Sequence, residues 1–76
     1  MWIRSQNLYV IVNCELFFVK QCEKEKFDVV GDRTGRNILL GKYSTEEKAL
    51  DVINMIESWV THPTEDIFYM PDDEDA

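Results

Sequence analysis

Seventy-six residues, 45% of them apolar and 12% aromatic, suffice for one folded domain but leave little room for a deep substrate cavity beside its core. The formal net charge of −7 is split unevenly: residues 44–76 sum to −9, with Lys48 their only base, while residues 1–43 sum to +2. Such a balance disfavours direct nucleic-acid binding and favours basic partners, and no apolar run is long enough for a signal core or a membrane span.

Trp2-Ile3 opens a short strand, and Leu8–Val12 is rich in β-branched and aromatic residues. Asn13 is a natural break before Leu16–Val19. Gln21–Glu25 reads as a polar connection, and Phe27–Val30 resumes the β pattern. Gly31–Asn37 supplies turn chemistry, and Ile38–Tyr43 completes an antiparallel hairpin, the loop being too short for a helical crossover. Both parities of the first β region are apolar: Leu8, Val10, Val12, Leu16 and Phe18 on one, Tyr9, Ile11, Phe17 and Val19 on the other. A break at Asn13 switches parity and accounts for part of this. The remainder implies a strand buried on both faces or a surface awaiting a partner, including a second copy of the chain.

Ser44-Thr45-Glu46-Glu47 reads as a capping box, with Ser44 at the N-cap and Glu47 reaching back to it. Ala49, Val52, Ile53, Ile56, Trp59 and Val60 then share about 120° of arc at ~100° per residue, predicting a helix over 45–61 that ends before Pro63. Glu47, Asp51, Asn54 and Ser58 face away from that stripe. Thr64–Met70 carries a last apolar burst, a strand or a docked extended segment. Residues 71–76 read as a mobile acidic tail. The expected fold is α+β: one domain over residues 1–70, a small antiparallel sheet of three to five strands packed on a single helix.

Chemistry-bearing motifs are sparse. Gly41-Lys42-Tyr43-Ser44 imitates a phosphate-binding loop, but five residues intervene between Gly35 and Gly41 instead of four, and Tyr43 stands where the metal-binding hydroxyl belongs. Arg33 and Arg36 could cradle an anion, although a solvated turn explains them as well. His62 is the sole histidine and borders Pro63, the position of an ordinary helix cap. Cys14 and Cys22 read as reduced thiols of a cytoplasmic protein, with pairing left open, and with one distant histidine they make no zinc set. No nucleophile and base are neighbours in sequence, so an enzyme is not expected, and no cofactor is implied.

The acidic array is the one constellation that suggests a function. Glu47 and Asp51 are one turn apart, about 6 Å along a helix axis, the scale of successive phosphates. With Glu57, Glu65, Asp66, Asp72 and Asp73 they form a set able to enter a basic groove built for DNA or RNA. The alternative is a solvated face that keeps the protein soluble.

Met1-Trp2-Ile3-Arg4-Ser5-Gln6, the block Leu40–Leu50 and the ending Phe68-Tyr69-Met70-Pro71 resemble a family of small proteins common in phages and prophages of Gram-positive bacteria. The resemblance implies a mobile-element context in the cytoplasm of a bacterial host. Small acidic proteins of that context often bind host proteins, CRISPR–Cas nucleases such as Cas9 among them, so a basic nuclease becomes the expected partner. It implies no catalytic residues.

Overall fold

The computed structural model describes residues 1–76 as six strands and one helix, an α+β fold. The strands divide between two three-stranded sheets. In the first, β1 (Trp2–Arg4) lies between β2 (Ile11–Asn13), which is antiparallel to it, and β6 (Ile67–Tyr69), which is parallel. In the second, β3 (Leu16–Glu23), β4 (Lys26–Arg33) and β5 (Arg36–Tyr43) run antiparallel in chain order. The helix α1 (Glu46–Thr61) packs on the second sheet, and its Trp59 reaches Phe68 of the first, edge to face at 5.4 Å between ring centroids.

Local chemistry sets the strand limits, and here three expectations are corrected. Leu8–Val10 is a turn and not a strand. Asn7 Oδ1 accepts from Ser5 Oγ and the Tyr9 amide, Ser5 Oγ accepts from the Val10 amide, and Leu8 takes φ 72°. Side-chain bonds of this kind offer the backbone an alternative to the ladder and override the β propensity of Leu-Tyr-Val. Gln21–Glu23 belongs to β3, so the connection to β4 is only Lys24-Glu25, with Glu25 at φ 62°. The glycine-rich segment contributes only Thr34-Gly35 as a turn, both at positive φ (50° and 81°), as a two-residue hairpin of primed type requires. Gly31 stands inside β4 for a packing reason: a Cβ there would lie 2.7 Å from Cys14 Sγ.

The two apolar parities of the early sequence are resolved by the passage from one sheet to the other. Val12 and Cys14 are buried; after exposed Glu15 and Leu16 the inward set becomes Phe17 and Val19, which pack against the core. Tyr9 and Ile11 remain outside, Tyr9 90% exposed. On α1, Ala49, Val52 and Ile56 are buried, Ile53 and Trp59 pack at the margin, and Val60 is exposed. Together with Ile3, Val29, Leu40, Tyr43, Phe68 and Met70 they join both sheets in one core. Cys14 is buried in the β2–β3 connection and Cys22 is exposed near the end of β3; both are free thiols.

The capping register is one residue later than expected. Thr45 is the N-cap, its hydroxyl accepting from the Lys48 amide at 3.1 Å. Ser44 is drawn off by the C-terminal segment: its amide and its hydroxyl both donate to Asp73 Oδ1, at 2.8 and 3.2 Å. Residues 71–76 make further contacts with the rest of the chain. The Pro71 carbonyl accepts from Tyr43 Oη at 2.7 Å and from Gln6 Nε2 at 3.3 Å, Asp73–Asp75 forms a 3-10 turn, and Ala76 touches the core.

Candidate functional site: the acidic helix face and its two ends

The stripe that buries α1 against the sheets leaves Glu47, Asp51, Asn54 and Ser58 exposed on its outer side. Glu57 is exposed too, but it lies about 80° round the axis from Glu47, on the side opposite Asp51. The remaining acidic candidates sit at the helix ends. Glu65 and Asp66, both exposed, precede β6 beside the last turn of α1, where they rim a cleft shared with Trp2, Trp59 and Pro63. Asp72 and Asp73 lie at the first turn, because β6 carries the chain back to Ser44 and Lys48. Sixteen helical residues span about 24 Å. The seven carboxylates therefore extend along a rod and over both its ends, and they are not gathered at one point.

Asp73 differs from the other six. It accepts two hydrogen bonds from Ser44 and stands 3.8 Å from Lys48 Nζ. The bond from the Ser44 amide, supported by the Ser44 hydroxyl and by Lys48, holds its carboxyl below the usual value. Its work is internal. Of the ten carboxylates in residues 44–76 it alone has an ion-pair partner, the protein's other ion pair being Lys26–Glu23. Nine carboxylates thus face solvent without an ion-pair partner, Glu46 and Glu47 among them in the first turn of α1. Only there does the helix dipole favour them.

Elsewhere the side chains form isolated contacts. The Cys22 thiol donates to Asp28 Oδ2 at 2.9 Å, and that bond raises it above its ordinary range. A polar hollow of about 270 Å³ is lined by Asn13, Glu15, Asp32, Arg33 and Thr34, and Asp32 Oδ1 is buried without a hydrogen-bond partner. His62 caps α1 through its amide, which donates to the Ser58 carbonyl. No three His, Cys, Asp or Glu side chains converge as metal ligands, and no helix is long and apolar enough to cross a membrane.

Two features of this region escape the sequence. The cleft at the helix C-terminus joins Trp2 and Trp59, residues that read separately as a strand start and a core position. The anchoring of Asp73 links residues 29 apart in the chain. A free Ser next to the true cap, and an Asp directly after Pro-Asp, were the only local hints. No protein-family model matches the chain, and no curated protein or solved structure is significantly similar to it.

Proposed function

We propose that the protein is a non-enzymatic, acidic binding protein of a mobile element, acting in the cytoplasm of a bacterial host. Its helix face engages a basic, nucleic-acid-handling protein by occupying a groove built for phosphates. A CRISPR–Cas nuclease, Cas9, is the partner to test first. The observation that carries this reading is the set of unpaired carboxylates: nine on residues 44–76, with no ion-pair partner within the chain. Repulsion among like charges opposes folding, and a cationic partner would relieve it while speeding association.

The test is DNA cleavage by a purified Cas9–guide complex titrated with the protein and with its E47K/D51K variant. Both substituted residues are exposed and clear of the core stripe. The parent is expected to suppress cleavage at low salt and the variant to leave it intact. Undiminished cleavage in excess parent protein would remove Cas9 from consideration.

A second reading, self-association through the sheets, has its own support. The outer edge of β3 is eight residues long and unpaired, and Leu16, Leu39 and Ile11 are about half exposed. Light scattering at micromolar concentration separates the two. Apolar assembly persists as salt rises, whereas binding to a basic partner weakens.

A further inference from the structure

Trp2 and Trp59 are the only two tryptophans of the chain, and both line one open cleft of about 340 Å³. Three elements build it. Trp2 opens β1, Trp59 and Val60 end α1, and Glu65 and Asp66 lead into β6, whose Ile67 pairs with Trp2. Met1 and Pro63 complete the walls. Trp2 is 47% exposed and Val60 63%, so the apolar wall is open to solvent. Trp59 is steadied from behind by its edge contact with Phe68.

Three negative features surround that aromatic wall. Glu65 and Asp66 are exposed at the rim and have no ion-pair partner. The last turn of α1 lines the cleft through Trp59 and Val60, and it holds no basic residue to offset the negative end of the helix dipole. The amino group of Met1, which lines the cleft, is engaged by Asn13 Oδ1 at 2.6 Å and the Cys14 carbonyl at 3.2 Å. An indole face beside carboxylates and a helix C-terminus attracts a cation, and a planar one most, since a guanidinium stacks on indole while donating in pairs to a carboxylate.

We infer that this cleft is a docking site for an arginine side chain presented by a basic polypeptide. The inference rests on the reading of the protein as a binder of basic proteins and adds where such a partner is gripped. The helix face supplies long-range attraction, and the tryptophan cleft supplies the anchor.

The probe is the peptide acetyl-(Gly-Arg)₃-amide, followed by tryptophan emission and by calorimetry at low salt. The comparison peptides carry lysine, or the uncharged isostere citrulline, in place of arginine. Saturable binding is expected for arginine, about fivefold weaker for lysine and undetectable for citrulline. W2A and E65Q/D66N should each weaken the arginine peptide about fivefold or more.

Citrulline or lysine peptides that bind as well as arginine would overturn the inference. So would W2A and E65Q/D66N binding like the parent; the second variant alters only exposed side chains and keeps that comparison valid if W2A melts early. Failure of the Cas9 test with the cleft intact would refute the proposed partner and leave the arginine site standing.

Discussion

Replacing Gly31 by alanine tests how the two sheets are docked, since Cys14 lies in the connection that crosses from one to the other. The new Cβ would stand 2.7 Å from Cys14 Sγ, 3.0 Å from Leu40 Cδ1 and 3.2 Å from Cys14 Cβ. Ordinary carbon contacts are about 3.5–4.0 Å, so the sulfur must retreat by roughly 1 Å. Cys14 and Leu40 are both essentially inaccessible to solvent, which leaves little room to yield. Overpacking of this kind costs about 1–3 kcal/mol, and the lower entropy cost of alanine in a strand offsets about 0.5–1 kcal/mol of it. A net loss of about 0–2.5 kcal/mol lowers the melting temperature of a domain this size by up to about 20 °C. The decisive assay is a double-mutant cycle by thermal melts of the parent, G31A, C14A and G31A/C14A. Removing the sulfur should abolish most of the penalty, a coupling of about 1 kcal/mol or more. An equal cost of G31A in both backgrounds would refute the contact and the placement of β4 against the β2–β3 connection.

Ile56 is 3% exposed at the centre of the helix stripe, so I56A should lose about 2–5 kcal/mol by denaturant titration; a change below 1 kcal/mol would show that the stripe is not the core. T34N should raise stability by about 0.5–1 kcal/mol in the same assay, because a β-branched residue is poorly suited to φ 50° and Asn-Gly favours this turn. The bonds from Ser44 depress Asp73, so its contribution is full above the ordinary carboxylate value of 3.8 and lost as pH falls through the lower folded value. The gap in melting temperature between parent and D73N should accordingly be constant from pH 7 to 5 and close below about pH 4; a gap that widens on acidification would contradict the assignment.

How legible the protein is from its sequence depends on how local each cause is. The helix follows from the spacing of Ala49, Val52, Ile56 and Trp59, a pattern one element imposes on itself. Its cap is ambiguous by one residue because Ser44 and Thr45 can both serve, and Asp73, far along the chain, claims Ser44. The β4–β5 hairpin is signalled by Gly35, but Gly31 looks like part of the same turn until Cys14 is seen against it. Leu8-Tyr9-Val10 has strand composition, and only the bonds of Ser5 and Asn7 reveal the turn. The division into two sheets is hidden altogether, since β1 pairs in parallel with a segment more than sixty residues away. The acidic candidates show the same limit. Their charge is plain in the sequence, but their spread along α1 and over both its ends, the internal use of Asp73, and the meeting of Glu65 and Asp66 with two tryptophans depend on contacts between distant segments.

The central claim, that the exposed carboxylates of α1 form a partner-binding surface, is tested most directly by comparative capture. The parent and the E47K/D51K variant, immobilised side by side, would be exposed to lysate of a Gram-positive host and to purified Cas9, eluted with a salt gradient and quantified by mass spectrometry. A basic nucleic-acid-binding protein should be retained by the parent, leave as the salt rises, and be depleted at least tenfold on the variant. Identical proteins on both surfaces, eluting at the same salt, would mean that the charge serves solubility alone.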